Sequence, residues 1–219
     1  MREALVLAGG EPVDPRWRDE VLARAAAGAV VVAADSGIHH AHALDLPIGH
    51  LVGDLDSATP DALDRARTEG TPIEAHPTDK DATDLHLALD AARRAGADRV
   101  TVLGAGGGRH DHLLANALLL AADEFADLEL DACFGADRIT VVRTSARLHG
   151  APGDPVSLLA VGGAARGITT SGLRWPLRDG TLEPGSSRGV SNEFTDPTAV
   201  VTLHAGTLLA IVPDPRSTR

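Results

Sequence analysis

Residues 100–118 read Val-Thr-Val-Leu-Gly-Ala-Gly-Gly-Gly-Arg-His-Asp-His-Leu-Leu-Ala-Asn-Ala-Leu. Val100–Leu103 is a short apolar run closed by glycine, which reads as a buried strand. Gly104 to His112 is a polar, glycine-rich loop. After Asp111, residues Leu114, Ala117, Leu118 and Ala121 recur at i, i+3, i+4 and i+7, the spacing of one helix face. Strand, glycine loop and helix in that order form the building block of a parallel sheet.

The same alternation runs outward from this stretch. Ala4–Ala8, Ala29–Ala33, Leu51–Val52, Pro72–Ala75 and Leu128–Phe134 are further strand-like runs. After Asp84, residues Leu85, Ala88, Leu89 and Ala92 repeat the helical spacing, and Gly96 supplies a stop. The expected fold is α/β: a Rossmann-like, largely parallel sheet over residues 1–136 with helices on both faces. Beyond about Gly135 the helical period vanishes. Ile139–Val142, Val156–Val161, Ala199–Leu203 and Leu208–Val212 are short strand candidates between Gly, Pro, Ser and Asn clusters. Residues 137–219 are therefore expected to form a small all-β, sandwich-like domain, with Pro213–Arg219 as a frayed tail.

The chain has 219 residues, a formal net charge of −11 and five aromatics: Trp17, Phe125, Phe134, Trp175 and Phe194. Its core must rest on Ala, Val, Leu and Ile. Base-stacking platforms need aromatic and basic surfaces, so nucleic-acid binding is disfavoured. One cysteine, Cys133, excludes an intrachain disulfide. No apolar run approaches ~18 residues and no signal-like segment opens the chain, so a soluble, cytoplasmic protein with no membrane partner is expected. Nineteen arginines stand against one lysine, Lys80.

Ligands of parallel α/β sheets bind beyond the carboxyl ends of the strands. Four polar loops are expected there: Asp35-Ser36-Gly37, Gly53-Asp54-Leu55-Asp56-Ser57, Thr78-Asp79-Lys80-Asp81-Ala82-Thr83-Asp84 and Gly104 through His112. Crowded carboxylates repel unless a hard cation sits among them, and Mg²⁺ takes oxygen ligands while keeping phosphate oxygens and water. Glycines let backbone N–H groups approach phosphate. Arg109 offers a fork and Lys80 a compact charge. Together these residues read as Mg²⁺-nucleotide chemistry.

Generic fingerprints fail. The G-x-G-x-x-G pattern breaks at Arg109, and no Gly-Lys pair exists for a P-loop. Asp54-Leu55-Asp56 after an apolar run also fits the nucleophile strand of haloacid-dehalogenase-type phosphatases, although that motif normally lies on the first strand. Bland readings stand beside these. Asp81 reads equally as a helix cap and as a ligand. His110 and His112 are poorly spaced for one ion. Trp175 reads equally as packing and as a ligand contact, and Trp17 with Val21 and Leu22 as core packing. His39, His40 and His42 read as a solvated turn.

The ordered motifs resemble the thiamine pyrophosphokinase (thiamine diphosphokinase) family. Asp35-Ser36-Gly37 and Gly53-Asp54-Leu55-Asp56-Ser57 are similar to its Asp-x-Gly turn and Gly-Asp-hydrophobic-Asp-Ser signature. Lys80-Asp81-Ala82-Thr83-Asp84 resembles its Lys/Gln-Asp-x-Thr-Asp helix start. Gly104 through His112, with Asn116, resembles its Gly-x-x-Gly-Gly-Arg-x-Asp-His element. Gly172-Leu173-Arg174-Trp175-Pro176-Leu177 and Ser191-Asn192 are similar to its Gly-Leu-Lys-Trp-x-Leu and Ser-Asn elements. Leu55, His86 and Arg174 depart from the family's usual Phe, Glu and Lys.

The resemblance implies transfer of a pyrophosphoryl group from ATP to the thiamine hydroxyl, giving thiamine diphosphate and AMP. It implies that Asp54, Asp56, Asp84 and Asp111 serve Mg²⁺ and catalysis. It gives Asp35, Ser36, Gly37, Ser57, Lys80, Asp81, Thr83, Gly107, Gly108, Arg109, His112 and Asn116 to the nucleotide. Trp175, Ser191 and Asn192 fall to thiamine, held between the subunits of a homodimer. Four carboxylates exceed what one Mg²⁺ with phosphates needs, so some act through water, a second ion or the nucleophile. Three alternatives stay open: another acceptor such as a pterin, a phosphatase using Asp54, and a non-catalytic nucleotide or thiamine sensor.

Overall fold

The computed structural model describes residues 1–214, and the chain divides into two compact units. The first comprises residues 1–119 and 127–136, the second 120–126 and 137–214.

The first unit holds six strands: β1 (Glu3–Leu7), β2 (Val30–Ala34), β3 (His50–Gly53), β4 (Ile73–Ala75), β5 (Arg99–Leu103) and β6 (Glu129–Phe134). All pair in parallel in the order β4-β3-β2-β1-β5-β6. The helices are α1 (Arg18–Ala26), α2 (Gly37–Ala43), α3 (Pro60–Thr68), α4 (Asp84–Arg94) and α5 (His110–Leu120). Strand residues buried on both faces explain the uninterrupted apolar runs. Leu5, Leu7, Val31, Ala33 and Leu51 pack with Val21, Ile38, Ala41, Ala62 and Ala66 of α1–α3. Helix α4 packs against β1, β2 and β3 and buries Leu85, Ala88, Leu89 and Ala92. It ends as expected. Gly96 adopts φ +83° and the Ala97 N–H donates to Ala92 O, closing the last turn. Trp17 packs on this core and donates Nε1–H to Gly135 O at 2.8 Å.

Two expectations fail here. The segment with His39, His40 and His42 is a helix, α2, and all three rings are half-buried. His40 Nε2 lies 3.3 Å from Gly10 O. Helix α5 forms, but Leu114 and Leu118 on its apolar stripe are 60% and 56% exposed. Helical spacing identified the helix without identifying which side would be covered.

In the second unit the strands are β7 (Asp137–Val142), β8 (Ser145–His149), β9 (Pro155–Ser171), β10 (Gly180–Leu182), β11 (Asn192–Glu193), β12 (Thr198–Thr202) and β13 (Ala205–Val212). Strand β9 pairs antiparallel with β13 through its first half and with β12 and β10 through its second. It therefore belongs to both layers of a sandwich around Val142, Leu158, Ile168, Phe194, Val201 and Leu208. The expected frayed tail is corrected at its start. Asp214 is buried and its N–H donates to Asp137 Oδ1 at 2.8 Å, while residues 215–219 lie outside those described.

Candidate functional site

The carboxyl ends of β2 and β3 and the first turn of α4 build an acidic cluster. Asp35 follows β2 with φ +46°, and its N–H donates to Val52 O at 2.9 Å. Asp54 follows β3, and Asp84 opens α4 behind the N-cap Thr83, whose Oγ1 accepts from the His86 N–H at 3.3 Å. One carboxylate oxygen from each of Asp35, Asp54 and Asp84 lies within 4.8 Å of the others. Gly53 makes this approach possible. A Cβ there would sit 3.0 Å from Asp84 Oδ1 and 3.1 Å from Asp35 Cβ, and the residue holds φ +142°.

Three unit charges at this spacing repel by about 3.5 kcal/mol per pair at an effective dielectric of roughly 20. Lys80 offsets part of this. Its Nζ lies 2.7 Å from Asp54 Oδ2 and 3.1 Å from Asp84 Oδ1, with only 13% of its side chain exposed. The Lys80 hydrogen bond holds the Asp54 carboxyl below the usual carboxylate range. Burial pulls the Lys80 ammonium down, but its bonds to Asp54 and Asp84 outweigh that and raise it. Asp35 is 8% exposed, and its Oδ1 is buried without a hydrogen-bond partner among the described residues. A buried carboxylate with an unpartnered oxygen, grouped with two more carboxylates, is a donor set suited to a hard divalent cation.

The other acidic candidates lie outside this three-carboxylate group, Asp56 reaching it through its N–H, which donates to Asp54 Oδ1 at 3.4 Å. Asp56 accepts a bond from its neighbour Ser57 Oγ at 2.9 Å. Asp111 is bound bidentately by Arg109, with Nε and Nη2 at 3.1 and 2.6 Å, at an exposed position. That contact pulls the Asp111 carboxyl down to about 2. Asp81 is exposed and does not cap α4, since Thr83 does. Its reading as that cap is corrected.

The glycine-rich loop after β5 is fixed by the loop after β1. Ala8, Gly10 and Glu11 N–H groups donate to Leu103, Gly104 and Gly106 carbonyls at 2.8, 2.7 and 3.1 Å. A Cβ on Gly10 would lie 2.5 Å from Gly106 O. Gly107 and Gly108 hold φ +75° and +63°, a left-handed conformation open to glycine. The Glu11 side chain lies against Gly106, Gly107 and Gly135, within 3.0 Å of where each would carry a Cβ. Asn116 Nδ2 braces the loop from α5 by donating to Ala105 O at 3.0 Å, and the exposed His112 donates its N–H to Asp111 Oδ1. The Asp35-Ser36-Gly37 turn is seated similarly. A Cβ on Gly37 would lie 1.9 Å from Leu7 O, and one on Gly9 would overlap Ser36 Oγ. Gly9, Gly10 and Glu11 were missed by sequence reasoning. Their signal was a glycine pair directly after the first strand.

In the second unit, Trp175 is 53% exposed beside a depression lined also by Arg188, Val190, Ser191 and Asn192. Asn192 clamps it reciprocally. Trp175 N–H donates to Asn192 Oδ1 at 3.1 Å, and Asn192 Nδ2 donates to Trp175 O at 2.8 Å. The Arg174 guanidinium lies 4.8 Å over the indole and pairs with Glu193. Ser191 holds φ +58°, its N–H donating to Ser157 Oγ.

Known proteins share this architecture. Residues 23–130 match the catalytic-domain model of thiamin pyrophosphokinase, and residues 140–208 match its vitamin B1 binding domain. Rice thiamine pyrophosphokinase 2 is 28% identical over 158 residues, 64% of this chain and 56% of the rice protein. The chain thus aligns with little more than half of that relative. Thiamine pyrophosphokinase of Bacillus subtilis is 25% identical over 73% of this chain and 75% of its own length. The crystal structure of a thiamin pyrophosphokinase family protein from Enterococcus faecalis superposes with a TM-score of 0.80 at 27% identity, covering 98% of this chain and 99% of that one. With both halves matched in order, the chain belongs to the thiamin pyrophosphokinase family.

Proposed function

We propose that this chain transfers the pyrophosphoryl group of ATP to the hydroxyl of thiamine, releasing AMP. The observation that carries the reading is the Asp35–Asp54–Asp84 cluster beside Lys80, in a chain matched over both halves by the family. Domain roles follow: residues 1–136 bind Mg²⁺-ATP, and residues 137–219 contribute thiamine recognition and the interface of a homodimer. The setting is cytoplasmic. No helix of the described residues is long and apolar enough to cross a membrane.

The donor set fits Mg²⁺, which Asp54 and Asp84 would hold with Asp35 beside them. Bound there, the ion would neutralise charge on the transferring phosphates. The protein's part is positioning and electrostatics. Gly107 and Gly108 present N–H groups to phosphate oxygens. Arg109 turns its fork from Asp111 to the triphosphate, which releases Asp111 toward the ion or the nucleophile. Asp56 acts through water or a second ion, with Ser57 orienting it. Ser36, Gly37, Asp81, Thr83, His112 and Asn116 shape the nucleotide's surroundings. The thiamine oxygen attacks the β-phosphorus, the bond from that phosphorus to the α-phosphate oxygen breaks, AMP leaves, and the hydroxyl proton passes to water. Trp175, held by Asn192 and flanked by Ser191, offers an indole to the aminopyrimidine or the cationic thiazolium.

Incubation with ATP, Mg²⁺ and thiamine tests this. AMP and thiamine diphosphate should form in equal amounts. ADP formation, or turnover without thiamine, would refute the reading. A pterin accepted in place of thiamine would redirect it.

A further inference from the structure

The only lysine of the chain lies where the acidic cluster would meet its metal. Its ammonium touches Asp54 Oδ2 and Asp84 Oδ1 at 2.7 and 3.1 Å, and the three side chains are 13%, 11% and 30% exposed. These two carboxylates are also members of the divalent-ion donor set, alongside the unpartnered Asp35 Oδ1. One ammonium among three carboxylates leaves the cluster short of positive charge. An ion that coordinates Asp54 and Asp84 through these oxygens must share or take what Lys80 now holds. The choice of side chain matters, because nineteen other basic positions are arginine. A guanidinium would grip Asp54 bidentately, whereas an ammonium is a point charge on a flexible stem that can turn away.

We propose that Lys80 is an exchangeable counter-ion: its ammonium holds Asp54 and Asp84 together in the ion-free chain, and a divalent cation displaces it toward the phosphates. The cluster then keeps its geometry between turnovers, and the same positive charge serves first the carboxylates and then the nucleotide. This rests on reading the cluster as a metal site.

The single lysine makes the test direct. Protein labelled with ¹³C at lysine Cε gives one side-chain signal, assigned without ambiguity. Mg²⁺ added without nucleotide should shift that signal and increase its picosecond–nanosecond mobility. Lys80→Met should bind Mn²⁺ roughly tenfold tighter or more, the scale of a close charge-pair coupling, and melt lower than wild type without the ion. Lys80→Arg keeps the charge and should bind Mn²⁺ more weakly than wild type. A Lys80 signal that stays rigid on Mg²⁺ addition, or equal Mn²⁺ affinity in all three proteins, overturns the exchange while leaving the metal site standing. Binding that survives Asp54→Asn unchanged overturns the metal-site assignment and the exchange with it. The AMP assay reports on the transferase reading separately.

Discussion

The two ends of the parallel sheet treat charge in opposite ways. At its amino end, signs alternate across neighbouring strands: Arg99 of β5 pairs with Glu3 of β1 and Glu129 of β6, and Asp98 accepts from the Arg2 N–H. Just inside, Thr101 donates to Asp131 at 2.8 Å, and Arg24 of α1 pairs with Glu20 at 2.8 Å. At the carboxyl end, Asp35, Asp54 and Asp84 crowd within 4.8 Å with one ammonium for three carboxylates. The amino end needs nothing further. The carboxyl end is short of cationic charge, so imbalance rather than charge density distinguishes the two ends.

The sharpest way to break this contrast is to neutralise one charge at each end. Asp54→Asn should lower AMP formation at least ~100-fold, the scale of losing one electrostatic contact to a transition state, with the fold retained by circular dichroism. Arg99→Ala should leave turnover within a factor of about two, because its partners lie at the far ends of the strands. Equal losses from both would erase the distinction. Next in size is Gly53→Ala. Its Cβ would press on Asp84 Oδ1 and hold a positive φ, and such strain costs on the order of 1–3 kcal/mol. The urea midpoint should fall, and the melting-temperature rise on Mg²⁺ addition should shrink with it. Unfolding of Arg99→Ala should show a loss of only about 0.2–1 kcal/mol, as for exposed ion pairs.

Smallest is the rim. Arg109 holds Asp111 near 2, below its ordinary 3.8. The pair is therefore intact above 3.8 and is lost only as pH falls through about 2. Carboxyl ¹³C titration should give a midpoint near 2 for Asp111, and Arg109→Ala should return it toward 3.8. A midpoint unmoved by that substitution would place the cause elsewhere.

The parallel sheet was legible because burial on both faces leaves uninterrupted apolar runs such as Val30–Ala34. Strand β8 and the second half of β9 were not. Gly162, Gly163 and Gly167 dilute the apolar signal of β9, and its register with β13 shifts between Ala205 and Thr207. In the site, motif order pointed to Asp54, Asp84 and Lys80, which the structure brings together with Asp35. It also grouped Asp56 and Asp111 with them; Asp56 bonds to Asp54 through its N–H and to Ser57 through its carboxylate, while Asp111 is held by Arg109. Linear spacing tells which loop carries a carboxylate and not where its oxygens point. Glu11 escaped for a related reason: only the fold lays the β1 loop along the β5 loop.

Strand β1 is made before both of its partners and completed late. One of its edges pairs with β2, whereas the other waits for Arg99–Leu103, some hundred residues downstream. Until then a strand with Leu5, Val6 and Leu7 destined for full burial presents an open hydrogen-bonding edge. During synthesis the nascent chain therefore passes through an interval in which this apolar strand is half-paired. Closing that loop of some hundred residues is the kind of non-local pairing that slows folding, so β1 gains its second partner only after β5 has been made.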